Sequence, residues 1–231
     1  MEVGPDGALY IADMYREVIE HPWSLPRGIK QHIDLDSGND RGRIYRIVPD
    51  IFVQPALPAL GQATEAELVA MLDHPNGWHR STAARLLFER QNQVAVAPLR
   101  RLAKRGKTDL GRMHALHALA GLNALVFEDV TAAMVDGSPV VRGHGVRLAE
   151  QFLPKRKAGI AGQLSEDSPL ALHLIRLAGT RDFFVQNQLA WTLGLVDFSG
   201  KTDVLHSLYR QAGTDYWKLP GLFNATTEQH G

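Results

Sequence analysis

Cysteine is absent from all 231 residues, which excludes disulfides, thiolate metal sites, iron–sulfur clusters, cysteine nucleophiles and covalent haem attachment within this chain. Neither sign of charge is in excess: 25 Lys and Arg stand against 25 Asp and Glu, with a pI near 7.2. No global field therefore draws nucleic acid or an anionic membrane. No apolar run reaches the roughly 18 residues that a membrane-spanning helix needs. A basic start followed by an apolar stretch is also missing. Met1-Glu2-Val3-Gly4-Pro5-Asp6-Gly7 runs straight into a turn, so Met1 reads as an internal methionine and the chain as a piece of a longer protein. The G-x-x-x-x-G-K-S/T, G-x-S-x-G and H-E-x-x-H patterns do not occur, which removes the common nucleotide, serine-hydrolase and zincin readings.

What is present changes period along the chain. Residues 1–50 read as β: Ala8-Leu9-Tyr10-Ile11-Ala12 follows the turn Pro5-Asp6-Gly7, and Arg43 to Val48 forms a second strand. A helical turn near Gly28 to Ile33 and the polar turn Ser37-Gly38-Asn39-Asp40 lie between them. Two or three such strands do not make an independent domain in water, because their edges stay unpaired. Residues 51–63, flanked by Pro49 and carrying Pro55, Pro58 and Gly61, read as a linker.

From residue 64 to 231 the period is helical. Thr64-Glu65-Ala66-Glu67 is a capping box. Further helix starts fall at Ala97-Pro98, Asp109, Ser138-Pro139, Ser168-Pro169, Asp182 and Asp203. Val141, Gly145, Leu148 and Phe152 form one apolar stripe, and Val185, Leu189, Leu193 and Val196 form another. Aligning the second helix of each pair superposes Arg80, Arg112, Arg142, Gln186 and Lys218, at spacings of 32, 30, 44 and 32 residues. Helix pairs at this period predict an α-solenoid of about five repeats, each burying its stripe against its neighbours. The long interval contains Pro154 to Asp167, read as a long loop or an additional helix.

Leu72-Asp73, then Trp78-His79-Arg80 and Ala83-Ala84-Arg85-Leu86-Leu87, resembles a HEAT repeat. So do Asp136 to Arg142 with Val146-Arg147-Leu148, and Val185-Gln186-Asn187-Gln188-Leu189-Ala190. That resemblance implies that an aspartate after the first helix and an arginine in the second link adjacent repeats. Gln186 and Lys218 depart from arginine, which weakens the link in the later repeats. Pro220 sits where the last helix should continue, so the fifth pair is expected to be irregular or cut off. In the front segment, Gly4-Pro5-Asp6-Gly7-Ala8-Leu9-Tyr10-Ile11-Ala12-Asp13 resembles a strand of an NHL-like or glucose/sorbosone dehydrogenase-like β-propeller. With Met14-Tyr15-Arg16, Ile19-Glu20-His21-Pro22 and Asp40 to Ile47, it is similar to the membrane-bound dehydrogenases of the planctomycete type. Those proteins place a propeller before HEAT repeats and a cytochrome c domain at the C-terminus. The resemblance implies a mainly α chain: propeller strands over 1–50, a linker over 51–63 and a HEAT-like solenoid over 64–231. It further implies a periplasmic or membrane-associated extracytoplasmic location. No cofactor is expected in this chain, with haem c in a C-terminal domain outside it. The expected partners are the parent's other domains and proteins on the solenoid surface, not nucleic acid.

The densest polar cluster is Asp13, Tyr15, Arg16, Glu20 and His21. Either these residues line an axial pocket of the parent propeller, with His21 or Glu20 as acid or base, or they form a packing loop with Arg16 paired to a carboxylate. Asp34, Asp36, Ser37, Asn39 and Asp40 offer hard oxygens suited to calcium, but without the EF-hand spacing; the other reading is a solvated turn. His114 and His117 share a helix face without a third ligand in sequence reach. The basic stretch Arg100-Arg101, Lys104-Arg105, Lys107 lacks the aromatic interleaving of a nucleic-acid surface and reads as the solvated end of a repeat.

Overall fold

In the computed structural model the described residues are 1–19, 21, 23–155, 161–165, 167–212 and 219–226. They fall into two compact units: Met1–Ala59 with Asn76–His79, and Leu60–Pro75 with Arg80–Gly231.

In the first unit, β1 (Glu2–Val3), β2 (Leu9–Asp13) and β3 (Arg43–Ile47) form an antiparallel sheet in that order. The β1–β2 turn is closed by the Gly4 amide donating to the Ala8 carbonyl at 2.9 Å, and Gly7 takes the positive φ of 82° that the turn requires. Register places Tyr10 opposite Arg46, so both side chains leave one face of the sheet and reach the buried Asp6. The Asn76 side-chain amide donates to the Gly4 carbonyl at 2.9 Å, and His79 Nε2 lies 2.8 Å from the Pro5 carbonyl. A short helix, α1 (Arg27–Lys30), starts after Pro26.

In the second unit the helices are α2 (Glu65–Met71), α3 (Gly77–Arg90, from Arg80 onward in this unit), α4 (Val96–Arg105), α5 (Asp109–Gly121), α6 (Phe127–Met134), α7 (Pro139–Ala149), α8 (Pro169–Leu177), α9 (Phe183–Leu193), α10 (Lys201–Ala212) and α11 (Leu219–Thr226). They pair in sequence order, and like helices stack from pair to pair. The first-helix layer runs α2, α4, α6, α8, α10, and the second-helix layer runs α5, α7, α9, α11. This is a helical-repeat solenoid, held by contacts between neighbouring helices. Leu68, Leu72, Leu87, Leu99, Leu116, Leu119, Leu174, Leu189 and Leu193 are fully buried along it. The capping box forms as the sequence predicts: Glu67 accepts from the Thr64 amide at 2.7 Å, and the Glu67 amide donates back to Thr64 Oγ1.

Two sequence expectations change. Pro220 does not interrupt a helix; it occupies the first turn of α11, where a missing N–H costs nothing. Within 154–167, the described part is neither loop alone nor helix. Gly162–Gln163 forms β4 and pairs in parallel with β5 (Val196–Asp197), so strand is not confined to the first 50 residues. A side chain at Gly162 would lie 2.3 Å from the Pro154 carbonyl, which explains why the chain crosses here at glycine. A helix start that the sequence did not mark is that of α6, whose N-cap position is Val126. Its first turn is capped from inside instead, by the buried Asp129 accepting from the Val126 amide at 3.3 Å. Lys218 lies outside the described residues.

Candidate functional site

The front cluster resolves into local turns. Asp13 Oδ1 accepts from the Tyr15 amide at 2.9 Å, an Asx turn that lets Tyr15 adopt φ 52°. Gly38 packs so closely on the Tyr15 carbonyl that a Cβ there would lie 1.9 Å from the oxygen. Arg16 donates to the Leu35 carbonyl and sits 4.0 Å from the exposed Asp36. The Arg43 guanidinium lies 4.3 Å from the Tyr15 ring centre. Asp13, Tyr15 and Arg16 are thus brought together around the 34–41 loop. His21 is exposed and occupied in its own turn, its Nδ1 accepting from the Trp23 amide at 3.2 Å. Glu20 lies outside the described residues. In the acidic loop, Asp34 Oδ1 accepts from the Asp36 amide at 2.9 Å, and Asp40 is 3.8 Å from Arg41. Among the described residues no three of His, Asp or Glu converge as metal ligands.

Sequence reading missed the best-connected group of this unit. Asp6 accepts from the Ala8 amide at 3.0 Å, from Tyr10 Oη at 2.9 Å and from Arg46 Nη2 at 2.6 Å. Burial pushes this carboxyl up, but those bonds outweigh it and hold the pKa below the usual carboxylate value. The contact spans 40 residues in sequence, and only the strand register reveals it.

In the second unit the aligned positions share one bond. Arg80 donates to the His74 carbonyl at 2.7 Å, Arg112 to Gly106 at 2.9 Å, Arg142 to Asp136 at 2.8 Å, and Gln186 to Thr180 at 2.8 Å. Each reaches back six residues, over the turn that joins the two helices of its pair. Between repeats, Arg112 makes a two-toothed contact with Asp136 of the next pair, at 2.8 and 2.9 Å. Ser138 donates to Asp109 at 3.0 Å, and Thr108 to Asp73. Gln186 keeps the backward bond but meets Gln211 at 2.9 Å instead of a carboxylate. The ionic link is therefore replaced by an amide link.

A row of rings crosses the second-helix layer. His117 Nε2 and His144 Nδ1 are 2.9 Å apart, one donating and the other accepting. The His144 and Phe184 ring centres are 5.4 Å apart. Phe184 lies over Gly143, where a Cβ would meet its ring at 2.2 Å. Sequence reading found His114 and His117 but not His144, which joins them only when α7 stacks on α5. Burial pushes all three imidazoles down, with the Arg80 and Arg147 charges and the neighbouring imidazoles adding to it; His117 falls to about 4. A histidine buried neutral in this way stabilises the fold above its ordinary pKa of 6.5 and loses that contribution as pH falls toward about 4. His117→Gln is accordingly expected to flatten the fall in melting temperature over that acid range; an unchanged slope would refute the assignment.

The cleft behind these helices is lined by Lys104, Asp129 and Asp136 among others. Both carboxylates are already taken by Arg100 and Arg112. Of the basic stretch, Arg101, Lys104, Arg105 and Lys107 are exposed.

The two units define a helical-repeat protein carrying a small antiparallel sheet. Residues 1–50 match a family described as a domain of unknown function (DUF7133). No curated protein matches the chain. Among solved structures, a designed armadillo repeat protein in complex with the peptide (KR)4 is similar at 12% identity and a TM-score of 0.40, covering 71% of this chain and 80% of that one. No helix among the described residues is long and apolar enough to cross a membrane.

Proposed function

We propose that this chain is a non-catalytic part of a larger extracytoplasmic redox protein, of the planctomycete membrane-bound dehydrogenase type. In this reading residues 1–50 are closing strands of a β-propeller, 51–63 are the linker, and 64–231 are a scaffold that positions a redox domain or a protein partner. Haem c then belongs to a further domain, since no cysteine here can attach it.

The observation that carries the reading is the open sheet. All five residues of β3 are exposed, Ile44 at 73% and Ile47 at 51%, although each side chain contributes about 1.5–3 kcal/mol when fully buried. Ile44 and Ile47 point to opposite faces, so β3, an edge strand of the sheet, lacks cover on both sides, as expected of a strand that further strands and sheets flank. The recurrence of residues 1–50 as a family unit supports the same division. The purified chain is therefore expected to self-associate in light scattering, and Ile44→Lys with Ile47→Lys to make it monodisperse. No dye reduction with sugars or alcohols is expected from it. A monodisperse unmodified chain would favour the second reading, a self-standing HEAT-repeat adaptor.

A further inference from the structure

We infer that Arg80 of α3, with Lys107 at the turn before α5, binds a single oxyanion group, the carboxylate or phosphate of a ligand. The inference goes beyond the scaffold reading above and does not rest on it.

Three observations carry it. The first is an internal precedent. Arg112 spends Nη1 on the Gly106 carbonyl behind it and turns Nε and Nη2 to Asp136, the residue at that same backward position in the following pair. Arg80 spends Nη1 in the same way, on the His74 and Pro75 carbonyls at 2.7 and 2.8 Å. For Arg80, the residue that corresponds to Asp136 is Gly106, which has no side chain. A larger residue could not simply supply the acid there, because its Cβ would lie 2.7 Å from the Leu102 carbonyl oxygen.

The second is what this leaves at Arg80. Its Nε is buried and has no hydrogen-bond partner, and among the described residues Arg80 makes no ion pair. A buried donor on a charged group is costly to leave unmatched, and the matching edge of Arg112 is satisfied by a carboxylate. Arg80 and Gly106 both keep part of their surface in solvent, which gives a small group access.

The third is the surrounding charge. Lys107 follows Gly106 directly, and with Arg101, Lys104 and Arg105 of the same basic stretch it is exposed and makes no ion pair among the described residues. The acids of the adjoining elements are engaged elsewhere. Asp73 accepts from Thr108 and lies against Gly111, and Asp109 accepts from Ser138. At the start of α2, Glu65 stands 3.7 Å from Arg90 and Glu67 accepts from the Thr64 amide, while α4 carries no acid. Cations are left in excess, and a guanidinium fork matches the paired oxygens of a carboxylate or phosphate where a halide does not.

His114 supplies a reporter, since burial and then the Arg80 charge push its imidazole down. In the full chain, exchanging chloride for inorganic phosphate, or separately for acetate, at constant ionic strength should offset the Arg80 charge and raise the pH at which the His114 ring protons titrate. Arg80→Gln should raise the half-saturating anion concentration about tenfold or more, and Lys107→Gln about twofold. Glutamine is tolerated at the aligned position, where Gln186 keeps the backward bond. Should Arg80→Gln fail to fold, Arg80→Lys, which keeps the charge but loses the fork, should weaken binding about fivefold. Acetate saturating at lower concentration than phosphate would assign a carboxylate ligand, and the reverse order a phosphate; both support the site. An unmoved His114 titration in either anion, or an Arg80 variant that responds as the parent chain does, would overturn the inference and leave the scaffold reading standing.

Discussion

Asp136→Ala is expected to lower the stability of the helical unit by about 3 kcal/mol, because removing one partner of a largely buried ion pair strands the other. The Asp136 and Arg112 side chains are only 16% and 17% exposed and meet through two bonds. Asp136 Oδ1 also accepts from the Ser138 amide at 2.8 Å, closing the turn before α7. Burial raises this carboxyl, but the Arg112 and Ser138 bonds outweigh it and hold the pKa below the ordinary carboxylate value. The stability it contributes is thus present above that ordinary value and is lost as pH falls through the lowered one. A urea midpoint that shifts at constant slope is the readout. Pairing the change with Arg112→Met should cost less than the sum of the single changes; additivity would show that the two residues do not act together.

Gly145→Val is expected to cost about 3 kcal/mol or to unfold the unit, although valine has the better helix propensity. A Cβ at this position would sit 2.9 Å from the Met134 nitrogen and 3.0 Å from the Ala133 carbonyl carbon. Both are backbone atoms of α6, which cannot turn aside as a side chain can. Gly121→Ala is the matched control. Its Cβ would meet only the Phe88 ring at 3.1 Å, and Phe88 is 60% exposed and free to rotate away. Gly121→Ala should therefore be neutral or slightly stabilising in thermal unfolding. Equal losses at the two positions would remove the packing argument.

These two positions show what the sequence made legible. The helix pairs were readable because Thr64 and Asp182 cap through their side chains and Ser138 and Ser168 each stand before a proline at a helix start, and because the aligned Arg and Gln residues share one backward bond. The α6 start was not readable, since Val126 gives no signal and the cap comes from Asp129 inside the helix. The β4–β5 pairing and the Asp6–Arg46 contact were hidden for another reason: they join residues 34 and 40 positions apart, and no local period encodes such a meeting. His144 belongs to the same class. It lies 27 residues from His117, far beyond any helix turn, so the ring row appears only when successive pairs are stacked.

The exchange of partners at Gln186 has a mechanical consequence. The Arg112–Asp136 junction is a charged clamp, loosened by acid and, being largely buried, little affected by dissolved salt. The Gln186–Gln211 junction is a neutral clamp that carries no titrating group. Stretched between its ends, such a stack has two grades of stiffness under separate control. In acid the earlier junction is expected to loosen while the later one holds its set, so pH decides which junction yields first.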